Sequence, residues 1–352
     1  MRRALVLTIL GAVLGVVGPV APVGAALGTP ASPARSTPHH VDVGALPVGS
    51  HPRSDLLTGR LLHTAEGNVV TIPVPTRYQD SLELLGRSPR GWVVVYHHAS
   101  AILEVGRSGR ARTVAHYGED YEGAATLLLS SGGRLVAVDR PDEGDAAHVH
   151  VVDLTGRTVA HHLWTAGGQM VGFRGRTLFF SRWGRSDERG PLVRWTLGGK
   201  PVRTGARGVA LLDLAHRQVV RTLTVFPQYR LGIAPLGRPD SVRWRACETC
   251  RPAYLARAFS PDGRLLAGER GTSDVTFRRA SDGRLVGDLA LSRRPVDERW
   301  EDSHHLLIEV VRNKPDRPRR EAEHTLVRCG VQGRCTRVTV WQHHWLLGYP
   351  GP

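Results

Sequence analysis

The sequence predicts an all-β ring of four-stranded antiparallel blades, a β-propeller, on three observations. Tight turns recur about every forty residues. A second set of turns interleaves with the first at the same period. No stretch beyond the N-terminal segment keeps a 3.6-residue apolar repeat, so almost no helix is expected.

The first set centres on Gly91, Gly133, Gly175, His216, Gly263 and Ser303, with gaps of 42, 42, 41, 47 and 40 residues. The second is glycine followed by a cation: Gly109-Arg110, Gly156-Arg157, Gly199-Lys200, Gly237-Arg238, Gly283-Arg284 and Gly333-Arg334. It trails the first by 18 to 30 residues. Two turn series on one period imply two hairpins per unit, hence four short strands, the size of a propeller blade. Glycine fits such turns because it takes positive φ at little cost. The flanking runs, such as Val149 to Leu154 and Leu192 to Leu197, are rich in β-branched and aliphatic residues that suit half-buried strands.

In chain order, residues 1–26 read as a secretory signal. Arg2 and Arg3 precede an apolar segment from Ala4 to Val17, and Val23-Gly-Ala25 or Gly24-Ala-Ala26 supplies the small-residue cleavage pattern. An uncleaved anchor is the alternative, since about twenty apolar residues can span a bilayer. Residues 27–55 are rich in Pro, Ser, Thr, His and Gly, and read as a flexible tether. Residues 56–352 read as a single propeller domain. Its first hairpin is Leu57 to His63 with Asn68 to Val74. Six units follow between about Ser81 and Val340. Val338 to Trp341 and Trp345 to Leu347 are placed with the N-terminal hairpin to close the ring, which removes exposed edges and favours seven blades over six.

The acidic clusters are Glu119 to Glu122, Asp142 to Asp145, and Asp297-Glu298 with Glu301-Asp302. They fall in connections between strands. A propeller hydrolase, glycosidase-like or lactonase-like, would aim two carboxylates at the channel mouth. No G-x-S-x-G, H-E-x-x-H or phosphate-loop motif is present. Histidine occurs 17 times, often in doublets such as His161-His162. A doublet sends its two rings to opposite faces of a strand, so it makes no chelate by itself. No catalytic residue, metal ligand or cofactor is assigned.

Two departures from the turn spacing stand out as interaction loops. One spans Ser181 to Gly190 and contains Trp183 and Arg185. The other spans Arg312 to Arg320 and contains Arg312, Lys314, Arg317, Arg319 and Arg320. If they share a rim, they form one face with Trp183 as anchor.

Four cysteines in an exported chain point to disulfides. Cys329 and Cys335 flank the last hairpin turn and are expected to pair. Cys247 and Cys250 form a C-x-x-C. A local structural disulfide is the favoured reading, with a redox pair, a zinc site or pairing with Cys329 and Cys335 as alternatives.

Ser260-Pro-Asp-Gly-Arg-Leu-Leu-Ala267 resembles the repeat core of the WD40-like β-propeller family of TolB type, the PD40 repeat. The Trp-Asp dipeptide and Gly-His start of WD40 repeats are absent. The resemblance implies a fold and brings no catalytic residues, since propellers host many unrelated functions.

The formal charge is +15, and only Lys200 and Lys314 among 47 basic residues are lysine. This arginine bias, with abundant Ala, Gly, Val and Pro, resembles the coding habit of a high-GC bacterium. The excess still favours anionic surfaces. The expected protein is a secreted or envelope-located monomer, more a binding or scaffold module than an enzyme. Its partner is a protein or an anionic envelope polymer, with no nucleic acid and no membrane span beyond the signal segment.

Overall fold

The computed structural model describes residues 37–118, 126–141, 146–165, 167–182, 190–224, 230–246, 259–270, 273–312 and 322–339. The strands of the unit Thr37–Pro352 form seven sheets, the blades of a β-propeller. Blade 1 shows three strands among the described residues: Leu56–Thr58, Leu61–His63 and Val69–Thr71. Blade 2 runs through Leu82–Ser88, Gly91–Tyr96, Ala101–Gly106 and Ala111–His116. Blade 3 comprises Thr126–Leu129, Leu135–Pro141, Ala147–Asp153 and Thr158–Trp164. Gly168–Arg174, Thr177–Arg182, Pro191–Thr196 and Val202–Arg207 make blade 4. Val209–Asp213, Gln218–Thr224, Arg230–Pro235 and Trp244–Ala246 make blade 5. Blade 6 holds Leu265–Arg270, Asp274–Arg279 and Leu285–Leu291, with Phe259 bridged to Leu266 on the inner side. Arg294–Trp300, His305–Arg312, Glu323–Gly330 and Cys335–Arg337 complete blade 7. Helix is confined to two short 3-10 turns among the described residues, Thr76–Ser81 and His97–Ala99.

Both turn series fall where the sequence puts them. The first joins strands one and two of blades 2 to 7, and the second joins strands three and four. Gly91 is needed for a different reason than the turn itself. A Cβ there would lie 2.1 Å from the Val105 carbonyl oxygen of the neighbouring strand. In blade 5, where the series lacks a glycine, Arg217 takes the left-handed conformation at φ 55°.

The core is divided among the seven gaps between blades. Trp92 and Val94 pack blade 2 on blade 1, and Val136 and Val138 pack blade 3 on Val93 and Val95 of blade 2. Trp164 stacks on Phe180 across the gap from blade 3 to blade 4, at a centroid distance of 4.6 Å. Phe277 meets Trp300 edge-on between blades 6 and 7. Leu56 against Leu307, Leu326 and Val338 closes blade 7 on blade 1. Each buried side chain of this size contributes about 1.5–3 kcal/mol, so the ring is held by interfaces of comparable kind.

The stretch expected as a tether is built into the domain from residue 39 onward. His39–Val41 pairs in parallel with Leu285–Leu291 on the outer edge of blade 6. Val48 bridges Arg337 in parallel on blade 7. Arg328 then clamps the chain: its guanidinium donates to the Ser50 and His51 carbonyls and to the Glu301 carboxylate. Low apolar content hid this, because the segment is held largely by backbone pairing and the Arg328 bonds, with Val41 and Val43 buried in the core and Leu46 packed against it. Residues 1–36, with the expected signal, lie outside the described residues. No described helix is long and apolar enough to cross a membrane.

Candidate functional site

Neighbouring strands in a blade run in opposite directions, so the turn joining strands one and two leaves the ring on the same side as the turn joining strands three and four. Both turn series therefore share one rim. The inner turns touch in succession: Ser131 N–H donates to the Phe173 carbonyl, Arg174 Nη1 to the Leu214 carbonyl, and Gln218 Nε2 to the Gly263 carbonyl. Exposed on the inner turns are Arg90, Arg134, Arg176, Arg217 and Arg264. The outer turns expose Arg110, Arg157, Lys200, Arg238, Arg284 and Arg334.

The acids of this rim serve the turns. Asp153 accepts from the N–H groups of Thr155 and Arg157, and its carboxyl is held below the usual range chiefly by the Thr155 hydroxyl. Asp262 and Asp282 accept from the N–H groups of Arg264 and Arg284 in the same way. Arg134 and Arg176 have no ion-pair partner among the described residues. The described turns of this rim thus expose more cations than anions.

The opposite rim carries the loops between strands two and three. The strand ends Arg182 and Pro191, and Arg312 and Glu323, both belong to such connections. The two expected interaction loops therefore start from a common rim. Trp183, Arg185, Lys314, Arg317, Arg319 and Arg320 lie outside the described residues, as do Cys247 and Cys250. Arg312 is committed to an ion pair with Glu323 across its hairpin. Cys329 and Cys335 are bonded, facing each other across the last turn with Cα atoms 4.2 Å apart.

Of the acidic residues considered for catalysis, Glu119 to Glu122 and Asp142 to Asp145 lie outside the described residues. Glu301 is buried in its pair with Arg328 and also accepts the Arg53 N–H. Asp302 caps its turn, accepting from the N–H groups of His304 and His305 and pairing with the His305 ring. Asp297 uses a carboxylate oxygen to accept the Glu298 N–H.

One cluster escaped the sequence reading. His148 and His150 sit two apart on Ala147–Asp153 and so share a face, and His161 on Thr158–Trp164 lies directly across from His150. Their ring centroids are 4.5 to 6.3 Å apart. His148 Nδ1 and His161 Nε2 are 3.2 Å apart. Burial, then the neighbouring His161, Arg140 and His148, hold His150 below the usual histidine range. His162 points to the other face, edge-on to Trp164 at 4.5 Å. The signal was available in His148-x-His150 followed by a hairpin that brings His161 opposite. The histidine doublets carry no such signal, because each places one ring on each face of its strand.

No protein-family profile matches the chain, and no curated protein sequence does. Solved structures match in fold. Hsv2 from Kluyvelomyces marxianus is 12% identical with a TM-score of 0.50, over 84% of this chain and 100% of that one. One of two prolyl endopeptidases is 13% identical with a TM-score of 0.51, over 75% of this chain and 44% of that chain. BamB from Moraxella catarrhalis is 11% identical with a TM-score of 0.43, over 84% of this chain and 87% of that one.

Proposed function

We propose that this chain is an exported β-propeller that acts by binding, as a recognition or scaffold module at the cell envelope, and that the glycine-turn rim meets an anionic partner. The observation that carries the reading is the convergence of both turn series, with their exposed cations, on one rim. Two further features support it. Glu301 and Asp302 hold the ring together and cap a turn, which favours binding over hydrolysis. The Cys329–Cys335 bond suits an oxidising compartment.

The test is binding of the exported chain to dextran sulfate, with neutral dextran as control. Affinity is expected to fall steeply as salt rises, because exposed charges are screened within about 8 Å at physiological ionic strength. Arg134→Glu with Arg176→Glu and Arg264→Glu is expected to weaken binding at least about tenfold, since each reversal removes an attraction and adds a repulsion. Binding that ignores salt and the triple variant, or no binding at all, overturns the reading.

A further inference from the structure

We propose that His148, His150 and His161 form a three-histidine site for a divalent ion of the zinc class on the outer half of blade 3. The argument starts from strand geometry. Side chains two apart on a strand share a face, and a cross-strand partner brings a third onto it. Three imidazoles are thereby delivered by two adjacent strands of one hairpin, which fixes their backbones relative to one another.

The spacing suits a metal. Zinc binds imidazole nitrogen at about 2.0–2.1 Å, so two ligands of a tetrahedral ion stand roughly 3.3 Å apart. His148 Nδ1 and His161 Nε2 are at 3.2 Å. One nitrogen from each of the three rings can be chosen so that all lie within 4.8 Å of one another. Elsewhere among the described residues, His51 and His63 approach to 3.1 Å but offer two rings only.

Imidazole sets the ion class. Nitrogen donors select zinc, copper or nickel over magnesium or calcium, which take oxygen. Three protein ligands leave a fourth position for water or a donor from a ligand. His148 and His150 are partly exposed and His161 is exposed, so the ion has an entry path. Arg140, the last-but-one residue of Leu135–Pro141, acts electrostatically on His150, and its charge favours an anionic fourth ligand.

The experiment is calorimetric titration of the chain with ZnCl2, alongside the visible absorption of bound Co2+, for wild type, His150→Gln, His161→Gln and His162→Gln. Wild type is expected to bind one equivalent with tetrahedral cobalt absorption. His150→Gln and His161→Gln are each expected to lose at least about tenfold in affinity, with the tetrahedral signal gone. His162→Gln, on the opposite face, is expected to match wild type. His161 is exposed on an edge strand, so its variant keeps the fold, which circular dichroism without metal checks. Absence of stoichiometric zinc binding by wild type overturns the proposal. So does zinc binding that survives both His150→Gln and His161→Gln.

Discussion

Two buried acids show how much one residue's surroundings decide. Glu309 is fully buried and has the His324 ring at 2.8 Å, so its oxygen is satisfied. Asp139 is equally sequestered on blade 3, yet its Oδ1 has no hydrogen-bond partner among the described residues. Burial pushes its carboxyl up to about 7. The folded chain then holds a proton that the unfolded chain, with an ordinary carboxyl near 3.9, gives up. Stability from this group is full below the unfolded value, declines as pH rises from about 4 to about 7, and is lost above that. Asp139→Asn is expected to raise stability at pH 8 by up to about 4 kcal/mol and to flatten this part of the pH profile. Denaturant unfolding at pH 4, 6 and 8 measures it, and an Asn variant no more stable than wild type at pH 8 sinks the idea.

At the scale of the element, the hairpin is the unit that the sequence announces best. Gly133, Gly175 and Gly263 fix one turn of their blades, and Gly109, Gly156 and Gly333 the other, because positive φ leaves few alternatives to glycine. The parallel edge strand His39–Val41 was harder to read than the hairpin of blade 1. Blade 1 pairs locally, whereas the partner of His39–Val41 lies in Leu285–Leu291 far along the chain, and pairing at that range leaves no local pattern. The histidine cluster lay between these cases: its alternation is local, but its third ring depends on a hairpin register that shifts between Val151 and Val152. The last hairpin carries its own staple. A short closed loop such as that of Cys329 and Cys335 restricts the unfolded chain by about 2 kcal/mol. Cys329→Ser with Cys335→Ser is expected to lower stability by about that much, with the fold retained. Thermal unfolding of the oxidised wild type and the double variant tests it; equal midpoints count against a stabilising role.

Across the whole molecule, closure is where one interaction serves the most structure. Arg328 joins blade 7 to the N-terminal segment through Ser50 and His51, while neutralising Glu301. Arg328→Ala leaves the Glu301 carboxylate buried without its cation, a change that costs about 3–5 kcal/mol. The expected result is a markedly lower unfolding midpoint and early proteolytic cleavage within residues 39–55. A variant as stable and as protease-resistant as wild type would show that closure rests on the Leu56 contacts and the backbone bonds of residues 47–49 to Arg337, and not on Arg328. Distance along the chain gives the same segment a further property. Val43 donates its N–H to Ser292, 249 positions later. Ribosomes deliver the N-terminus first, so this strand emerges long before anything exists for it to pair with. Any chain halted before about residue 290 carries it as a loose end, and the earliest-made part of the domain is among the last to find its place.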